Sequence, residues 1–253
     1  MILFLAGTSD ARELAVQIKE AGYRILATVV TESAAKSLEN QGVDTRIGRL
    51  TAADMTVLIR QKGIQAVVDA SHPFAEEASK NALQAANEAN VLYIRYEREQ
   101  QQYNDERLIV VRDYGAAAKL AAEKRGVIML TTGSKTLEIF TKELAGLENT
   151  RVIARMLPRL DNMEKCALLG IEQKNIVAMQ GPFSKELNKA LYRHYDVTLM
   201  ITKESGKVGA VDEKIEAALE CGIETILIAR PKIQYQNLYS SNAGVLNHLK
   251  SIH

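Results

Sequence analysis

The chain has no tryptophan, four phenylalanines, four prolines and only two cysteines in 253 residues. Each shortage excludes something. With aromatic residues at 5%, the stacking surface that holds single-stranded nucleic acid is missing. Cys166 and Cys221 stand far apart, outside any Cys-x-x-Cys pair and with no histidine at metal-ligand spacing. Each reads as a buried structural thiol rather than part of a disulfide or a zinc site, and no metal is expected. No apolar run approaches the roughly 20 residues that span a bilayer, so no membrane segment is expected. The opening Met1-Ile2-Leu3-Phe4-Leu5-Ala6-Gly7 lacks the basic segment and long apolar stretch of a secretory leader. The cytoplasm is the expected compartment. An excess of one charge is missing too, since 32 Lys and Arg face 31 Asp and Glu. A general nucleic-acid binder would be more basic. An anionic ligand must be met by local clusters, not by the field of the whole protein.

What is present is an alternation. Short runs rich in Val and Ile, at residues 2–6, 25–30, 43–47, 66–68 and 91–94, suit buried strands. Between them, residues 10–20, 33–40, 52–61 and 74–89 carry helical spacing. Gly22, Gly42 and Gly63 follow three of these helices, where C-termini favour glycine. Residues 95–107 are polar and read as a connection. The alternation then resumes, with strands at 108–111, 127–130, 151–154, 176–179, 197–201 and 225–229. Helices fall at 115–123, 136–144, 159–168, 185–195, 213–220 and 242–249. This is a βαβ series and predicts α/β lobes with mainly parallel sheets, at residues 1–98 and 104–253.

In such sheets ligands bind beyond the carboxyl ends of the strands, so the following loops are the candidate sites. Gly7-Thr8-Ser9 follows the first strand. Gly7 permits close backbone approach, and the next helix, with Asp10 as its expected cap, offers N–H groups to a phosphate. As a nucleotide fingerprint this loop is incomplete. After the second strand, Glu32 suits a ribose hydroxyl and NADH, whereas Thr31, Ser33 and Lys36 suit a 2′-phosphate and NADPH. The choice stays open. Ser71 and His72 follow the fourth strand, with Pro73 expected in the first turn of the next helix. A lone histidine is more often structural, but its place at the mouth of the sheet makes a ligand-facing role equally acceptable. In the second lobe Thr131-Thr132-Gly133-Ser134-Lys135 forms an anion cradle too short for a Walker loop. Ser184, an expected helix cap, and Lys203-Glu204-Ser205 follow later strands.

Taken in order, these loops resemble one family, the precorrin-6A reductases and their cobalt-precorrin-6A counterparts in cobalamin biosynthesis. The segments that carry the resemblance are Gly7-Thr8-Ser9-Asp10-Ala11-Arg12-Glu13-Leu14-Ala15, Gly48-Arg49-Leu50, Asp69-Ala70-Ser71-His72-Pro73-Phe74-Ala75, Leu130-Thr131-Thr132-Gly133-Ser134-Lys135, Gln180-Gly181-Pro182-Phe183-Ser184 and Thr202-Lys203-Glu204-Ser205-Gly206. The Ser-His-Pro-Phe-Ala and Gln-Gly-Pro-Phe-Ser segments are the most specific. Two departures stand out: residues 96–103 carry no tryptophan, and Gly209-Ala210 replaces a glycine pair.

The resemblance implies two Rossmann-like lobes with a ligand cleft between them. It implies transfer of a hydride from NADPH or NADH to a ring carbon of a tetrapyrrole substrate. The expected cofactor residues are Gly7, Thr8, Ser9, Thr31, Ser33, Thr132, Gly133 and Ser134. Ser71 and His72 are the expected catalytic pair, with His72 a candidate proton source. Lys135, Arg155, Ser184, Lys203 and Ser205 are expected to hold the substrate, whose carboxylates need cations; Arg12, Arg49 and Arg95 also sit near strand ends. Another nicotinamide-dependent reductase and a non-enzymatic nucleotide sensor are the alternatives, although a sensor needs polar loops in only one lobe.

Overall fold

The computed structural model describes residues 1–99, 104–204 and 212–251. The chain divides into two compact units, Met1–Glu99 with Lys232–His253, and Gln100–Pro231. The first opens with β1 (Ile2–Ala6), α1 (Ser9–Glu20), β2 (Ile25–Val29), α2 (Glu32–Glu39) and β3 (Asp44–Ile47). It continues through α3 (Ala52–Lys62), β4 (Ala66–Ala70), α4 (Glu76–Ala89) and β5 (Leu92–Tyr96). The second contains β6 (Leu108–Val111), α5 (Tyr114–Lys124), β7 (Gly126–Leu130), α6 (Leu137–Leu144), β8 (Thr150–Met156) and α7 (Leu160–Leu168). Next come β9 (Ile176–Ala178), α8 (Lys185–His194), β10 (Leu199–Lys203), α9 (Glu213–Glu220) and β11 (Glu224–Ile228). The chain then returns to the first unit with β12 (Leu238–Tyr239) and α10 (Asn242–Lys250).

Among the described residues each lobe holds one six-stranded sheet, ordered β12-β5-β4-β1-β2-β3 in the first and β6-β11-β10-β7-β8-β9 in the second. Every pairing is parallel. Both orders are doubly wound, and they differ in how the strand at the β5 or β11 edge is supplied. β12 arrives from the end of the chain, and β6 precedes the rest of its lobe.

The period-2 alternation of a strand explains why the first sheet is apolar on both faces. Ile2 and Phe4 of β1 pack with Leu14 and Ile18 of α1, Leu38 of α2, and Val245 and Leu249 of α10. Leu3 and Leu5 face the other way, onto Met55 and Ile59 of α3 and Ala82 and Ala86 of α4. Local chemistry fixes the ends. Thr51 and Asp54 form a reciprocal capping box at the start of α3, and Gly63 closes that helix at φ 59°.

Four expectations need correction. Residues 95–107 are not all connection, because Arg95 and Tyr96 complete β5 and are buried. The charge of Arg95 disguises a strand whose partner, Asp69, lies beside it in register on β4. The second lobe ends near Pro231 rather than at the C-terminus, because Val245 and Leu249 complete the first lobe's core. Pro73 lies in a turn before α4 rather than in its first turn. Thr8, not Asp10, caps α1, and Asp10 pairs instead with Arg98.

The placement of α10 is testable. Leu249 is fully buried, so Leu249→Ala is expected to cost about 2–4 kcal/mol in a denaturant titration. A loss below roughly 1 kcal/mol would place this helix outside the core.

Candidate functional site

In a doubly wound sheet, the crevice opens where neighbouring strands send their following helices to opposite faces. In the first lobe that point lies between β1 and β4. It brings Gly7-Thr8 beside Ser71-His72. The approach is so close that a Cβ on Gly7 would lie 2.5 Å from the His72 backbone nitrogen and 2.9 Å from Ser71 Cα. Glycine is therefore required by the protein's own backbone, a reason the sequence did not reveal. In the second lobe the point lies between β7 and β10. It joins Thr131-Thr132-Gly133 to Lys203-Glu204, and the Thr131 N–H donates to the Ile201 carbonyl at 2.9 Å.

Around the first crevice, Thr8 Oγ accepts from the Ala11 N–H at 3.4 Å, and Ser9 begins α1. Thr31 caps α2 in the same way at 3.3 Å, with Ser33 in the helix's first turn beyond β2. His72 is part-buried, and its Nδ1 accepts from the Phe74 N–H at 3.1 Å. An imidazole that accepts at Nδ1 presents Nε2 as its donor.

Ser71 points inward. Its hydroxyl meets Arg95 Nη1 at 3.1 Å and Ser79 Oγ of α4 at 3.3 Å. Below it lies a buried ion cluster. Asp69 and Arg95 are both fully buried and pair at 2.9 Å. Asp69 also accepts from the Ser71 N–H at 2.9 Å and from Tyr93 Oη at 2.8 Å. Arg95 Nη2 reaches Glu97 at 3.0 Å. Burial opposes the charge on Asp69, but Arg95 and the serine hydrogen bonds more than offset it and hold the carboxyl below its ordinary range. Burial likewise opposes the charge on Arg95, and Asp69 with Glu97 overcomes it, holding the guanidinium protonated. Arg95 is thus committed to partners inside the lobe.

The second lobe also pairs a buried arginine with a carboxylate, Arg230 with Glu204 at 3.4 Å, but Arg155 stands in a different balance. Arg155 is 8% exposed, beside the end of β8. It donates to Asn188 Oδ1 at 2.6 Å and lies 4.3 Å over the Phe183 ring. Asn188 is aimed by its own bond to the Ser184 carbonyl at 2.8 Å, while Ser184 Oγ caps α8. No ion pair to Arg155 forms among the described residues, and burial lowers its pKa. Lys203 is also lowered, by burial and then by the charges of Lys214 and Lys135. Gly133 holds φ 83° with open space where a side chain would stand. Thr132 is buried and meets Thr136, and Ser134 and Lys135 begin a short 3-10 turn. Ser205 lies outside the described residues. Asn188 and Tyr93 were not singled out in the sequence, and Phe183 only as part of the Gln-Gly-Pro-Phe-Ser segment.

A family model described as precorrin-6x reductase CbiJ/CobK matches residues 1–250. The chain belongs to this family. A cobalt-precorrin-6A reductase of Priestia megaterium is 60% identical over 249 residues, 98% of each chain. One from Salmonella typhimurium is 36% identical over 232 residues, 91% of this chain and 87% of that one. A solved structure titled CobK precorrin-6A reductase superposes with a TM-score of 0.82 at 25% identity, covering 99% of this chain and 96% of that one. The chain is accordingly an oxidoreductase of cobalamin biosynthesis. Among the described residues no helix is long and apolar enough to cross a membrane, and no cluster of acidic, cysteine and histidine side chains suits a metal ion.

In this reductase the contact at Gly7 gives a direct check. Gly7→Ala must displace the Ser71-His72 backbone, so a stability loss of about 1–3 kcal/mol together with reduced turnover is expected. A variant with wild-type melting and wild-type turnover would contradict the packing described.

Proposed function

We propose that the chain reduces the macrocycle of precorrin-6A or cobalt-precorrin-6A to its 6B form with NADPH or NADH, in the cytoplasm. The reading is carried by the 60% identity to a cobalt-precorrin-6A reductase over almost the whole of both chains. The reaction adds a hydride to one ring carbon and a proton to its neighbour. A bound nicotinamide supplies the hydride. The protein's residues must place the acceptor carbon, meet the ligand charges and exclude water.

The donors present fit a dinucleotide. Gly7, Thr8 and Ser9 stand at the N-terminus of the twelve-residue α1, which suits a phosphate. Thr31 and Ser33 suit the ribose end. In the second lobe, Thr132, Gly133 and Ser134 form another polar turn, and the positive φ of Gly133 leaves its peptide open to a ligand. Ser71 and His72 belong to the reacting end. We assign His72 the task of donating a hydrogen bond through Nε2, with the ring proton drawn from solvent.

The tetrapyrrole carboxylates fall to Lys135, Arg155, Ser184, Lys203 and Ser205. Arg155 supports this best, because it is buried with no salt bridge among the described residues and burial outweighs the help it receives from Asp212, so it gains most from an anionic ligand. The test follows absorbance at 340 nm with nicotinamide cofactor and macrocycle. Arg155→Met and Lys203→Met are each expected to raise the macrocycle KM about tenfold, with cofactor KM and melting temperature little changed. Unchanged macrocycle KM in both variants would remove the substrate from this edge. Failure of the wild type to oxidise either cofactor in the presence of macrocycle would overturn the reading as a whole.

A further inference from the structure

The buried cluster beneath Ser71 is more elaborate than a folding role requires. Asp69 and Arg95 are register partners on β4 and β5. By strand parity both face the same side as Val67 and Tyr93, toward α3 and α4. Arg95 Nη1 alone serves the Asp69 carboxylate, the Asp69 carbonyl at 3.3 Å and the Ser71 hydroxyl at 3.1 Å. Asp69 in turn accepts from the Ser71 backbone. Ser71 is thus held at both its N–H and its hydroxyl by one ion pair. Tyr235, from the returning C-terminal segment, covers the cluster. Its ring stacks on Tyr93 at 6.1 Å and lies 5.5 Å from the Arg95 guanidinium.

This arrangement is not an economical way to stabilise a core. Arg95 Nε is buried without a partner, and a well-packed apolar pair often serves stability as well as a buried ion pair does. What the pair supplies is direction. Its donors and acceptors fix the chain as it leaves β4, one residue before His72 and against Gly7. The sequence suggested that Arg95 meets a ligand; its geometry gives it another task.

We propose that Arg95 is a positioning residue for the reduction, acting from inside the lobe through Asp69 and Ser71 to hold the His72 loop, with Tyr235 bracing it. The inference rests on the reading that this loop faces the reacting ligands. Arg95 touches no ligand in this account, so its loss acts on kcat and not on binding. A lysine retains the charge but lacks the planar fork that reaches Asp69, Ser71 and Glu97 together.

The experiment uses the full chain, with kcat and both KM values from cofactor oxidation and a thermal melt for each variant. Arg95→Lys is expected to fold and to lose about tenfold or more in kcat, the scale that small misplacements of reacting groups produce, with both KM values within about twofold of wild type. Ser71→Ala, a smaller change, is expected to lower kcat in the same manner. In the Ser71→Ala background, Arg95→Lys should add little, because both act through one contact. A purely structural Arg95 would instead lower the melting temperature and leave kcat of the folded enzyme intact. If Arg95→Lys does not fold, Ser71→Ala decides alone, and wild-type kcat there overturns the proposal. Independent, multiplying losses in the double variant would also overturn it. His72→Ala separates the two levels. If it loses kcat while Arg95→Lys retains it, the positioning role alone fails. If both retain wild-type kcat, the loop does not face the reaction, and the site reading and the proposal fall together.

Discussion

The ion pair between Asp69 and Arg95 is the constraint on which the first lobe's site depends. Neither charge reaches solvent, so each exists in the interior only because the other does. Their pairing requires β4 and β5 in one register, and β12 completes the edge beside β5. The carbonyl of Asn237 accepts from the Arg95 N–H at 2.8 Å, and the Asn237 side chain donates to the Tyr93 carbonyl at 3.0 Å. The end of the chain therefore belongs to the support of a loop that lies more than 150 positions earlier, a consequence of the sheet order and not of any local motif.

The second lobe repeats the sheet order and carries its own buried pair, Arg230 with Glu204 just beyond β11 and β10, but it also holds a second buried arginine of another kind. Where the first lobe neutralises its buried arginine with carboxylates, the second packs Arg155 against an amide and an aromatic face. The two arginines stand at comparable strand ends and are equally hard to tell apart by residue type. Their partners separate them. One is consumed in holding backbone, and the other retains charge that a polyanionic ligand can meet. The charge on Lys203 is likewise opposed by burial and by neighbouring lysines.

Much of this was legible in the sequence. Val- and Ile-rich runs of strand length, separated by helical spacing and glycine stops, gave two parallel α/β lobes, because burial on both faces leaves that pattern. The polar loops after β1, β4, β7 and β10 fall at the two crevices, as the general topology rule demands, whereas those after β2, β3 and β9 lie away from them. Long-range pairings were not legible. Residues 238–239 make a two-residue strand too short to show a period, and its partner lies far away in sequence. Arg95 read as the start of a linker because a charge in a strand looks like solvent exposure. The counter-signal was present in Asp69, a lone acid after Ala66-Val67-Val68, and opposite charges in two adjacent buried strands suggest a pair. Gly7 was legible as a close approach, but what approaches it was not.

The central claim is that hydride passes directly from a nicotinamide to the macrocycle on this protein. The most direct test uses NADPH or NADH deuterated at one face of the nicotinamide C4, with precorrin-6A and its cobalt complex as acceptors, and mass spectrometry of the product. The account predicts that one of the two labelled diastereomers places a single deuterium on a ring carbon, while the other leaves its label on the oxidised cofactor. A reduced macrocycle free of deuterium with both diastereomers would contradict it.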